Sequence, residues 1–138
     1  MDDKFKVSVV LAIFIKSADD STMPLKCAFY DKNGWIYLPS APVTANQYAH
    51  QVAIDLVKKM IPIDPQLLHI IPIGFFDPIK SEDTDRANRT IMLGYRVIIA
   101  PGMPVLTELE FKDNEELGIA AERLSKDHFR IYRAGLYA

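Results

Sequence analysis

A chain of 138 residues, 49% hydrophobic and 25% charged, is long enough to bury one core, and a single domain over 1–138 is expected. A formal net charge of −2 gives no global attraction for nucleic acid or an anionic membrane, which leaves only a local basic patch as a route to either. The lone Cys27 excludes an intramolecular disulfide and a cysteine-based zinc site; the longest apolar run, 9–15, is too short to span a bilayer. No small-residue cleavage site follows the start "MDDKFK", so a soluble, cytoplasmic protein is expected.

"KVSVVLAIFI" (6–15) is β-branched and nearly all apolar, as in a strand covered on both faces. After a loop, "KCAFY" (26–30) and "WIYL" (35–38) flank "DKNG", whose Asn33-Gly34 pair suits a tight hairpin. Proline turns are expected at Pro39 and Pro42. A helix is predicted from about Ala45 to Met60, with Thr44 as N-cap and Pro62 and Pro65 beyond its end. Its stripe of Ala49, Val52, Ala53, Leu56, Val57 and Met60 is wide enough to pack on a sheet.

"LLHIIPIGFF" (67–76) predicts an edge or interrupted strand, because Pro72 cannot donate to a ladder. A charged loop leads to a second strong strand over 89–100. "LTELEF" (106–111) is a short strand, and "NEELGIAAERL" a turn or short helix. A final helix begins at Ser125. Strands alternating with helices, plus a hairpin, predict an α/β fold with a mixed β-sheet sandwiched between helices.

The order of hairpin, "WIYLP", helix, "IGFFD", charged loop, "RTIMLGYRVII", "LEF" and "LSKDHFRIYRAGL" resembles a Nudix domain over almost the whole chain. "SKDHFRIYRAGL" is similar to the Asp-His-led final helix of ADP-ribose pyrophosphatases and their transcription-factor relatives. The resemblance implies a Nudix-like α/β/α sandwich and a nucleotide-related role. The Nudix box G-x5-E-x7-R-E-U-x-E-E-x-G-U, however, falls on altered residues. Its first glycine lies at Ala41, its first glutamate at Gln47, and its Arg-Glu pair at Asp55 and Leu56. The Glu-Glu pair lies at Lys59 and Met60 and the second glycine at Pro62, while the aliphatic positions survive as Val57 and Ile63.

The box glutamates hold magnesium or manganese and activate water against a diphosphate. Thioether and alkyl groups do not ligate a hard dication. A lysine about 6 Å from one would repel it by roughly 5 kcal/mol at an effective dielectric of 20. Pro62 also fixes φ where the family uses a flexible glycine.

No catalytic residue and no metal ligand are therefore expected, and no cofactor, with magnesium or manganese implied only if relocated acids keep the enzyme active. Glu82, Asp83 and Asp85 could supply such acids, though acids in a polar loop usually just solvate it. Arg86, Arg89 and Arg96 are the best anion-binding candidates, since guanidinium forks fit phosphate oxygens. Trp35 and Phe76 could offer a stacking face for a base. His50 and Asp55 are expected to be solvated, His69 to be structural within a strand, and Asp127 and His128 to cap the last helix.

Three functions remain. The first is a non-catalytic sensor of a nucleotide-like ligand such as ADP-ribose. The second is a structural or protein-interaction subunit, including a homodimer, whose former cleft is filled or forms an interface. The third is an active pyrophosphohydrolase. Leu56 and Met60, taken as exposed at that cleft, favour the second, and the sensor is placed slightly ahead of it.

Overall fold

β1 (Lys6–Ile15) is the spine on which the sheet is assembled. The computed structural model describes residues 6–16, 26–77 and 90–137. Along one edge β1 changes partner halfway. Its end pairs antiparallel with β2 (Lys26–Lys32) at Phe14↔Cys27, and its start with β4 (Ser40–Val43) at Val7↔Val43. Along the other edge it runs parallel to β6 (Thr90–Ile99) from Lys6↔Thr90 to Ile15↔Ile99. β5 (Ile71–Phe76) closes that side antiparallel to β6, while β3 (Trp35–Tyr37) and β7 (Leu109–Lys112) both pair with β2. The result is a mixed sheet of seven strands.

The near-continuous apolar run in β1 is explained by burial on both faces. Val9, Leu11 and Ile13 meet α1 (Ala49–Met60) through Val52, Ala53, Leu56, Val57 and Met60. Val10, Ala12 and Phe14 meet Ile131 and Tyr132 of α3 (Lys126–Leu136), joined by Leu117 of α2 (Asn114–Ile119). Helices thus cover both faces of the sheet, as the alternation of elements predicts. The fit on the α3 side is close: a Cβ on Gly135 would stand 2.9 Å from the Phe14 ring.

The Asn33-Gly34 hairpin has positive φ at both residues, 55° and 80°, as its turn chemistry requires. α2 starts at a capping box between Asp113 and Glu116, and the Ser125 hydroxyl caps α3 by accepting from the His128 amide.

Three boundaries differ from the sequence expectation. α1 begins at Ala49, not Ala45, and its N-cap, Tyr48, has no side-chain cap. Thr44 donates its amide and hydroxyl to Gln47 Oε1, both at 3.0 Å, and this local turn satisfies the groups that a helix start would have used. The segment 40–43, expected as a proline turn, is an edge strand, because β1 beyond its β2 pairing offers an open ladder. β5 starts at Ile71, and Pro65–Leu67 is a 3-10 turn opened by the Asp64 side chain.

Candidate functional site

The residues that fall on the Nudix box lie in and around α1. Leu56 and Met60 are each only 5% exposed and Val57 is fully buried, all in the core between α1 and the sheet. Tyr30 donates its hydroxyl to Met60 Sδ at 3.5 Å, and the Leu106 amide donates to the Met60 carbonyl at 2.7 Å. The second bond pins the segment after β6 across the C-terminal end of α1, and Met103, Val105 and Leu106 add to the same cluster. Burial, reinforced by the Glu108 carboxylate, pushes the Tyr30 phenol up and keeps it a donor.

The expectation that Leu56 and Met60 are exposed at a cleft is therefore overturned. They are core residues, because the three- and four-residue spacing that makes the apolar stripe includes both. The other box positions lie around them. Ala41 is half-buried in β4, where its carbonyl accepts from the Ser8 hydroxyl at 3.1 Å. Gln47 closes the turn before α1, Asp55 is exposed and accepts from Gln51 at 3.1 Å, and Lys59 and Pro62 are exposed. No three His, Cys, Asp or Glu side chains converge on a common point among the described residues.

Arg86, Arg89, Glu82, Asp83 and Asp85 lie outside the described residues. Arg96 is engaged: its guanidinium donates to the Gly135 carbonyl at 3.2 Å and so ties α3 to the sheet. Trp35 is 59% exposed on β3, whereas Phe76 is half-buried on β5 with the Arg130 guanidinium 5.7 Å from its ring centre. β2, β1 and β6 separate the two strands, which at about 4.8 Å per step stand roughly 19 Å apart, too far for the two side chains to form a common stacking face.

The histidines also differ from expectation. His69 precedes β5 and is exposed, because the strand starts two residues later. With His50, Lys58 and Asp64 it lines an open groove of about 480 Å³ between α1 and the 3-10 turn. Hydrophobic patterning gave no sign of this grouping, since the residues come from three separate segments. His128 does not cap α3 with its side chain. Its Nδ1 accepts the Leu38 amide at 2.9 Å, which places the ring proton on Nε2. Burial holds its pKa down to about 4, with Asp127 pulling slightly the other way. Asp127, as expected for an acid in a first turn, stands at the start of α3, and its carboxylate lies 3.3 Å from Arg130.

No protein-family model and no curated protein matches the sequence. Solved structures do match. The Nudix domain of Shewanella oneidensis NrtR, in complex with ADP ribose, superposes with a TM-score of 0.63 at 11% identity, covering 93% of this chain and 84% of that one. The E. coli dihydroneopterin triphosphate pyrophosphohydrolase gives 0.66 at 14% identity, covering 96% of both chains. The C-terminal domain of mouse MUTYH, in complex with human PCNA, gives 0.67 at 11% identity over 94% of this chain and 86% of that one. Together with the seven-stranded mixed sheet and its two helical layers, these likenesses show that the chain has the Nudix fold.

Proposed function

We propose that this chain is a Nudix-fold protein that acts by binding and does not hydrolyse diphosphates. The observation that carries the reading is the filled inner face of α1. On a gapless alignment of the box, Leu56 and Met60 fall at its metal-holding glutamates, and both are packed in the core under the segment after β6. A carboxylate at either place would lose its hydration without gaining a partner. The test is turnover of ADP-ribose, NADH, dinucleoside polyphosphates and nucleoside triphosphates with magnesium or manganese. None is expected above about 0.1 per second, well below ordinary enzyme rates. Metal-dependent turnover above that level, lost in Glu82→Gln or Asp85→Asn, would establish an active hydrolase with relocated acids.

A protein-interaction role is the reading we favour, because Leu56 and Met60, which fall on box positions, are taken up by the core and offer no polar group to a small ligand. A structural neighbour crystallised with a protein partner is consistent with that use of the fold. A second reading, a sensor of a nucleotide-like ligand, is favoured by the neighbour bound to ADP ribose. On that reading Arg86 and Arg89 hold the anion and Trp35 or Phe76, acting singly, meets a base. A thermal-shift screen without metal should then show stabilisation by ADP-ribose that Arg86→Ala or Arg89→Ala removes.

A further inference from the structure

On the face of the sheet opposite α1, a groove of about 510 Å³ runs between α2 and the first turns of α3. Its floor is apolar: Leu117 and Leu124 belong to the core, and Phe129 is packed against it. One rim is low, formed by Asn114 and Gly118 of α2 and by Ala121 of the 3-10 turn that follows it, and a Cβ on Gly118 would meet nothing within 4 Å. The other rim carries Lys126 and Arg130, four residues apart and so on one side of α3. Lys126 makes no ion pair among the described residues, whereas Arg130 is steadied by the Asp77 carbonyl at 2.6 Å and by Asp127. Among the described residues, two cations and no carboxylate line the groove, in a chain whose net charge is −2.

We infer that this groove docks a partner protein's acidic peptide segment, with one bulky apolar side chain set on Leu117, Leu124 and Phe129 and a flanking carboxylate on Lys126 and Arg130. The inference rests on the interaction reading above and names a partner for it. The chemistry excludes the obvious alternatives. Two cations are too few for an anionic membrane, which takes clusters of about four to eight. Nucleic acid would need a longer basic track with stacking aromatics on it. The volume fits two or three side chains, and the open low rim admits a peptide from the side.

The test is selection of short random displayed peptides on the full chain, followed by anisotropy titration of the enriched sequences. Enrichment of a Leu, Ile, Phe or Trp beside two or more acids is expected, with affinity falling as salt rises. Gly118→Trp, which fills the low rim, and Lys126→Glu, which reverses the charge at a helix start that tolerates an acid, should each weaken binding by about tenfold or more. Lys59→Glu, on the opposite face, should leave binding unchanged, and unaltered melting of each variant shows that folding is intact. Peptides without the acid-apolar pattern, no enrichment over an unrelated protein, or binding that both groove variants leave unchanged overturns the proposal. So does a wild-type dimer that Gly118→Trp dissociates, which assigns the groove to a second copy. Turnover by the wild-type chain would sink the non-catalytic reading alone, because the two features lie on opposite faces of the sheet.

Discussion

The two faces of the sheet have been finished differently. The α1 face is almost wholly apolar, with a Tyr30–Met60 hydrogen bond among its few polar contacts. The α3 face keeps polar chemistry inside its packing. His128 holds the Leu38 amide, Arg96 reaches the Gly135 carbonyl, and the fully buried Tyr132 hydroxyl has no hydrogen-bond partner among the described residues. The comparison teaches that the segment resembling a Nudix box packs through its apolar stripe, while the opposite face keeps hydrogen-bonding groups within its core. The groove beside α1 is lined at its edge by His50, Lys58, Asp64 and His69, whereas on the other face titratable groups such as His128 and Tyr132 lie inside the packing.

The sharpest way to break that comparison is to place acids at the two buried box positions. Leu56→Glu combined with Met60→Glu places two carboxylates in a sealed apolar layer, and a loss of about 5 kcal/mol or more is expected. For a domain of this size the melting temperature should fall by more than about 15 °C. A variant that stays folded and gains manganese-dependent stability would show that the α1 face opens. On the other face, Gly135→Leu drives a side chain into Phe14 and Ile73, 2.9 and 3.1 Å from the new Cβ. About 3 kcal/mol should be lost, measured by urea unfolding. A near-neutral result would mean that α3 packs more loosely than α1.

His128 makes the α3 face sensitive to acid. Its folded pKa, about 4, lies below the ordinary 6.5, so the folded state binds its proton later than the unfolded chain does. The stability it contributes is present above about pH 6.5 and is lost as the pH falls towards 4, by up to about 3 kcal/mol. His128→Gln should remove that part of the pH dependence. Identical pH–melting curves for wild type and variant would refute it.

The smallest effect is expected at Tyr132, where burial has pushed the phenol up to about 12. Tyr132→Phe removes a buried donor that has no partner among the described residues, so stability should stay within about 1 kcal/mol of wild type or rise slightly. A loss well beyond that, read from the same unfolding curves, would reveal that the hydroxyl is bonded after all.

The sequence by itself determined the layers of this protein. Apolar runs in 6–15 and 90–99 could be satisfied only by strands covered on both sides, and the stripe from Ala49 to Met60 only by a helix laid on them. The Asn33-Gly34 turn and the Ser125 cap were equally legible, because a hairpin and a helix start depend on residues next to one another. Pairing across distance was not. The strand at 40–43 exists because β1 had an unpaired edge, and α1 starts late because Gln47 turned back to Thr44. Burial of Leu56 and Met60 depended on where the segment after β6 came to lie, and the separation of Trp35 from Phe76 on strand order. The α2–α3 groove likewise needed three turns of helix to meet, so only the tertiary structure could assemble it. Local propensity is written residue by residue, whereas which surfaces are covered is fixed only when distant segments compete for the same edge or face.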